Sequence, residues 1–163
     1  MSIIIKETDN GDLENLRALW ADGDVMHFVG FPEGLIRTNA EMKTWLQAIN
    51  ARRPQANHFS IYDDGIFCGE AFYGIDCAHE NLASLDIKLF KHARGKGIGE
   101  KGLRFVIEQA FTHGAKKVFV DPNPNNAKAI ALYKKCGFIQ ADYPPHLQEK
   151  SAKYAAVYME LKR

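Results

Sequence analysis

The run HARGKGIGEKG, residues 92–102, places Gly95, Gly97, Gly99 and Gly102 close together and sets Arg94 and Lys96 among them. Glycine is favoured where a backbone must turn unusually or approach another group closely. The amphipathic run that follows predicts a helix fed by this loop. A helix N-terminus offers unpaired N–H groups and the positive end of the helix dipole, and so binds anions. The chemistry this pattern suits is the holding of a phosphate.

Two phosphate-binding loops can be tested against the run. The P-loop requires Ser or Thr after its lysine, whereas Lys96 is followed by Gly97. The dinucleotide loop G-x-G-x-x-G is matched by Gly97, Gly99 and Gly102, and Asp121 follows at about 20 residues, as that loop asks. Its first glycine should leave a buried apolar strand directly. Here the strand ends near Phe90, carries Asp86 and Lys88, and is separated from Gly97 by further residues. Too little chain follows Asp121 for the remaining βα units. A nicotinamide-dinucleotide-binding protein is therefore a lesser alternative.

Other reactive residue types show less pattern. His27, His58, His79, His92, His113 and His146 have no ligand spacing, so no metal site is expected. Cys68, Cys77 and Cys136 form no C-x-x-C pair, and no His or Asn partner for a cysteine nucleophile can be placed. They are expected to be reduced thiols in a cytoplasm.

The elements that must position the loop follow from periodicity. SIIIKE reads as a strand. Asp9 or Asn10 caps a helix with Leu13, Leu16, Ala18, Leu19 and Trp20 on its apolar face, and a helical turn is expected at Val25–Val29. A helix capped by Thr38 or Asn39 follows. NHFSIYDDGIFCGEAFYGI predicts two strands joined at Asp64-Gly65. LASLDIKLF alternates, with Leu85, Ile87 and Leu89 opposite Ser84, Asp86 and Lys88. After the glycine loop, Leu103, Val106, Ile107, Ala110 and Phe111 form a helical stripe that stops at Gly114. KKVFVDPN is a short buried strand, and Asn125 or Asn126 starts a helix ending at Gly137. YAAVYMEL closes the chain as a strand with Ala155, Val157, Met159 and Leu161 on one side. The order predicts one α/β (α+β layered) domain over residues 1–163, a mixed central sheet flanked by helices.

The stretch LDIKLFKHARGKGIGEKGL resembles motif A of the GNAT superfamily of N-acetyltransferases, whose [RQ]-x-x-G-x-[GA] signature is matched by Arg94 to Gly99. VDPNPNNAKAIALYKKCGF resembles the family's motif B. Within the family the chain is weakly similar to the ribosomal-protein and aminoglycoside 6′-N-acetyltransferase branches. The resemblance implies a sheet splayed between two strands around acetyl-CoA. It assigns the pyrophosphate to Arg94, Gly95, Lys96, Gly97, Ile98 and Gly99, and the pantetheine arm to Leu89 with Asn125 or Asn126. It implies direct transfer of acetyl to an amine in a ternary complex. Tyr133 sits where the family places the proton donor to the leaving thiolate. A phenol, at pKa about 10, suits that role. Asp86, and Glu70 on the neighbouring strand, are candidates for the base or for attracting a cationic amine. The segment from Asp22 to Pro54 corresponds to the wall of the acceptor site. The alternative of another class is a non-catalytic acetyl-CoA-binding sensor of the same fold.

Charge and composition narrow the partners. A net charge of +1 gives no field to gather nucleic acid. The N-terminus does not read as a signal peptide and no run reaches membrane-spanning length, so neither export nor a membrane partner is expected. Asp22, Asp24, Glu33, Asp63, Asp64, Glu70, Asp76 and Asp86 precede the glycine loop, which favours a cationic acceptor: an aminoglycoside, a polyamine or a peptide N-terminus. The final strand is a candidate homodimer edge.

Overall fold

Leu85, Ile87 and Leu89 do alternate with Ser84, Asp86 and Lys88, on a strand, β4 (Leu82–Leu89). The computed structural model describes residues 1–149 and 155–163. Among them the other strands are β1 (Ile3–Glu7), β2 (Ala56–Asp63), β3 (Ile66–Asp76), β5 (Lys117–Val120), β6 (Ile139–Gln140) and β7 (Met159–Lys162). They form one mixed, open sheet in the order β1-β2-β3-β4-β5-β7-β6. Every neighbouring pair is antiparallel except β4 and β5, which are parallel. The β2–β3 hairpin turns at Asp64 and Gly65, both with positive φ.

Helices cover both faces. Asp9 caps a 3-10 turn that leads into α1 (Leu13–Ala21). A short helix α2 (Gly23–Met26) runs into a 3-10 turn, His27–Val29. Thr38 and Glu41 cap each other's backbone at the start of α3 (Asn39–Arg52). The side chains of Leu16, Leu19, Met42 and Leu46 bury one core on this side of the sheet. On the other side lie α4 (Ile98–Thr112) and α5 (Ala127–Lys135). Leu103, Val106, Ile107, Ala110 and Phe111 are all buried there, as their spacing predicts. Fully burying one such aliphatic side chain contributes about 1.5–3 kcal/mol. No helix among the described residues is long and apolar enough to cross a membrane.

Three expectations are corrected. Ala18 faces solvent, because the buried stripe of α1 is confined to Leu13, Leu16 and Leu19. The last strand starts only at Met159, so Ala155 and Val157 precede it; Tyr154 is outside the described residues. Nor is that strand an edge, since β7 pairs with β5 on one side and β6 on the other. The sheet's described edges are β1 and β6.

β3 and β4 leave no room for a side chain at Gly69. A Cβ there would sit 2.0 Å from the carbonyl oxygen of Lys88 and 2.9 Å from the Cα of Leu89. Both atoms are backbone and cannot swing aside. Gly69→Ala should therefore push the strands apart and cost about 3 kcal/mol, read as a lowered urea midpoint.

Candidate active site

β4 and β5 are paired at only three positions, Leu82 with Lys117, Ala83 with Val118 and Ser84 with Phe119. β4 continues to Leu89 without that neighbour, so the sheet opens. The gap forms a cleft of about 1250 Å³ whose walls include Asp86, Leu89, Gly97, Asn125 and Tyr133. Phe90 donates its N–H back to Cys68 on β3 at 2.9 Å. By the alternation of a strand, the N–H and C=O groups of Leu85, Ile87 and Leu89 turn toward the β5 side, where the Leu89 carbonyl is already taken by Arg94 and Ile87 lies beyond the last β5 pair. This is an open strand side for an extended ligand to pair with.

The glycine loop lies at the mouth. After a 3-10 turn at Lys91–Ala93, Gly95 and Gly97 adopt φ of +75° and +79°. Gly97 is the N-cap of α4 and has no side chain to satisfy the first N–H groups, those of Ile98, Gly99 and Glu100. Ile98 buries its side chain in the core, so only its backbone can serve a ligand. Lys96 is exposed. The Arg94 guanidinium is already engaged: it donates to Asp24 Oδ2 at 2.9 Å and, through Nε and Nη2, to the Leu89 carbonyl. It staples the end of β4 to α2. Glu100, in the first turn of α4, is ion-paired with Lys135 and Arg104.

Asp86 and Glu70 occupy very different places. The Asp86 side chain is about half exposed, lines the cleft and is ion-paired with Lys88. Glu70 lies behind it, its side chain 5% exposed. Its Oε2 accepts from Trp20 Nε1 at 3.0 Å and lies 2.7 Å from His58 Nε2, while Oε1 accepts from Lys88 Nζ at 3.2 Å. His58 Nδ1 in turn contacts Thr8 Oγ1 at 2.7 Å, and that hydroxyl contacts Ser60 Oγ at 2.7 Å. Burial by itself pushes the Glu70 carboxyl up. The charges of Lys88 and His58 and the bonds from His58 and Trp20 outweigh it and hold the group at about 2. Burial likewise pushes Lys88 down, but Asp86 and Glu70 outweigh it and keep the ammonium charged beyond its usual range. A buried chain of polar groups thus runs from Asp86 through Lys88 and Glu70 to β1. Trp20, His58, Thr8 and Ser60 were not anticipated. Their one trace in the sequence is the polar pair His58 and Ser60, two apart on a strand and hence on one face.

Tyr133 approaches from α5. Its ring is buried and packs edge-on against Phe138, with centroids 5.8 Å apart. The residue lines the cleft, and its hydroxyl forms no hydrogen bond among the described residues. Burial first, and the negative charge of Asp86 second, raise its pKa. Asn126 spends its side chain capping α5 through Ala129 N–H at 3.2 Å. The Asn125 side chain is exposed at the cleft. Of the acidic residues preceding the glycine loop, Asp24 and Asp86 line the cleft and both are ion-paired. Asp76 is at the opposite end of β3, and Asp63 and Asp64 are at its hairpin. No single acidic pocket results. His27, Phe28, Val29 and Pro32 form the opposite wall.

The profile of the acetyltransferase (GNAT) domain matches residues 2–139. The chain belongs to the GNAT acetyltransferase family. It is 33% identical over 85 residues to a probable spermine N(1)-acetyltransferase of Bacillus subtilis subsp. natto, a match covering 48% of this chain and 56% of that protein. It is 36% identical over 66 residues to a kanamycin resistance protein of Rhizobium radiobacter, covering 40% and 53%. Matches to curated relatives span between 34% and 56% of those proteins' lengths. The fold is that of the Vibrio cholerae spermidine N-acetyltransferase solved with CoA and spermine, with a TM-score of 0.79 at 17% identity over 98% of this chain and 95% of that one.

The Glu70 cluster makes a test of the site's construction. The folded pKa of about 2 lies below the usual 4.5, so its stabilisation is complete above 4.5 and is lost as pH falls toward 2. The size is on the order of 3 kcal/mol. Glu70→Gln should lose that acid-dependent component, and should be about 3 kcal/mol less stable at neutral pH because the buried Lys88 ammonium keeps only Asp86 as a counter-charge and the donors from Trp20 and His58 lose their charged acceptor. Urea unfolding between pH 7 and 3 reads both. An unchanged acid slope in the variant would show that Glu70 does not carry it.

Proposed function

We propose that this chain transfers the acetyl group of acetyl-CoA directly to a primary amine, with both substrates held in the cleft and no covalent intermediate on the protein. The observation that carries the reading is the parting of β4 and β5 beside a helix N-terminus that no side chain caps. That geometry suits a long ligand with an anionic group at the mouth and an amide-bearing arm along an open strand. In this reading the N–H groups from Gly95 to Gly99 hold the pyrophosphate, and Lys96 adds charge. Arg94 acts as the staple that keeps the loop in place. Ile87 and the N–H of Leu89 offer backbone groups to the pantetheine, and Asn125 closes over it. Asn126 serves mainly by capping α5. When bound, acetyl-CoA supplies an acetyl thioester.

The residues around that position divide the proton work. An alkylammonium has a pKa of about 10 and must lose its proton before it attacks. Asp86, exposed in the cleft, draws the cation in and passes its proton to water. Glu70 is too deeply buried and too strongly acidic to be the base. We assign it a positioning role: it fixes Lys88, which fixes Asp86. The Tyr133 hydroxyl, kept protonated by its surroundings, donates toward the leaving sulfur.

Phe28 and Val29 remain 39% and 51% exposed on the opposite wall. Such a wall suits the alkyl stretches of a polyamine, or the first side chain of a peptide, better than the hydroxyl-rich rings of an aminoglycoside. The spermine named for one relative agrees with this preference. The free thiols Cys68, Cys77 and Cys136 fit a cytoplasmic setting.

Acetyl-CoA at about 100 times its Kd should add about 2.7 kcal/mol, a rise of roughly 5–10 °C in melting temperature, while NADH gives none. No shift across millimolar acetyl-CoA would overturn the reading. With spermine as acceptor, Tyr133→Phe should lower kcat about 100-fold and leave the acetyl-CoA shift intact. Because the Tyr133 pKa is raised, the wild-type kcat/KM should climb with pH to about 9 with no descending limb. Kanamycin turning over faster than spermine would reverse the assignment of acceptor class.

A further inference from the structure

The expectation of no metal site rested on spacing along the chain, which cannot see residues joined by folding. Asp76 ends β3, His79 lies in the turn between β3 and β4, and His146 lies in a 3-10 turn at Pro145–Leu147. Their ligand atoms all lie within 4.8 Å of one another, and all three side chains are exposed. His79 Nδ1 is 2.8 Å from Asp76 Oδ2, while Asp76 Oδ1 accepts the Ala78 N–H at 3.1 Å. That second bond holds the carboxylate in a fixed orientation with one oxygen presented to the imidazole. The rings of His79 and His146 stack with centroids 3.9 Å apart and planes 6° from parallel.

We propose that Asp76, His79 and His146 form a binding site for a divalent transition-metal ion. Two imidazole nitrogens and one carboxylate oxygen are donors suited to Zn(II), Ni(II) or Cu(II), and poorly suited to Ca(II) or Mg(II), which require mostly oxygen. A tetrahedral ion with bonds of about 2.0–2.2 Å needs its ligand atoms roughly 3.3 Å apart. Because an imidazole lone pair lies in the plane of its ring, binding tilts the two rings out of their parallel stack; both side chains are exposed and free to turn, and water completes the coordination. The ion takes the place of the hydrogen bond between His79 Nδ1 and Asp76 Oδ2, and the imidazole then carries its one proton on Nε2.

The site's position argues for a structural role. Asp76 pairs with Leu82 at the start of β4, whereas the cleft opens at the other end of that strand, from Leu85 to Leu89. The ion would therefore join the β3–β4 turn to the Pro145–Leu147 turn, across 67 residues of chain, without touching the acetyl-transfer site. The inference does not depend on the proposed function, and its test needs no acetylation assay.

Titration of the purified chain with Zn(II), followed by calorimetry, should show one ion bound per chain. Saturating Zn(II) should raise the urea midpoint and the melting temperature, the latter by about 5 °C or more. Asp76→Asn and His146→Ala should each abolish the stoichiometric binding and both shifts. Cys77→Ser should keep them, since the neighbouring thiol is not a ligand, and Ca(II) should have no effect. Zn(II) binding to His146→Ala as tightly as to the wild type would overturn the proposal. So would loss of binding in Cys77→Ser, or a wild-type chain that takes up no Zn(II) in the micromolar range.

Discussion

The pairing of β4 with β5 stops after Ser84, and the rest of the site depends on that stop. A parallel pair that continued to Leu89 would satisfy its own backbone and leave no cleft. Because it stops, backbone groups of β4 beyond the last pair, those of Ile87 and the N–H of Leu89, face an opening, and α4 and α5 present their N-terminal ends beside it. The divergence is held by packing on either side. α4 buries Leu103, Val106 and Ile107 against the sheet, and α5 anchors its own side through Tyr133 and Cys136.

The opposite face of β4 is held by charge. Lys88 lies between Asp86, which meets solvent in the cleft, and Glu70, which does not. Removing a carboxylate from water is costly unless several donors replace the lost hydration. Trp20 on α1, His58 on β2 and Lys88 on β4 supply them for Glu70. One side chain thereby ties a helix and three strands together. Its connection with Asp86 couples the stability of this layer to the placement of an acidic group in the cleft.

Much of the fold was legible in the chain. Apolar periodicity located α4 and its buried stripe, alternation located β4, and the Asp64-Gly65 dipeptide located the β2–β3 turn, because each depends on residues within a few positions of one another. The glycine loop was legible for the same reason. The surroundings of Arg94 were not legible. Its charge beside the glycines suggested a phosphate ligand, but Asp24, seventy residues earlier, and the Leu89 carbonyl take its guanidinium. The last strand starts later than the alternation of Ala155 and Val157 suggests, because before Met159 the backbone makes only isolated bonds, Val157 N–H to the Pro122 carbonyl and Ala141 N–H to the Tyr158 carbonyl, beyond the ends of β5 and β6.

The sequence by itself therefore determined the order of elements, the helix start that can meet an anion, and the residue types available for proton transfer. These follow from local sterics and periodicity. Only the tertiary structure decided which acidic group is exposed and which is buried, since Asp86 and Glu70 differ in their neighbours from α1, β2 and β4 and not in their own strands' pattern. It also decided that Asp76, His79 and His146 meet, because their approach depends on how β3 and the turn before β7 are laid side by side. Ion pairs and ligand clusters are set by distance in space, and a chain records distance only for residues close in sequence.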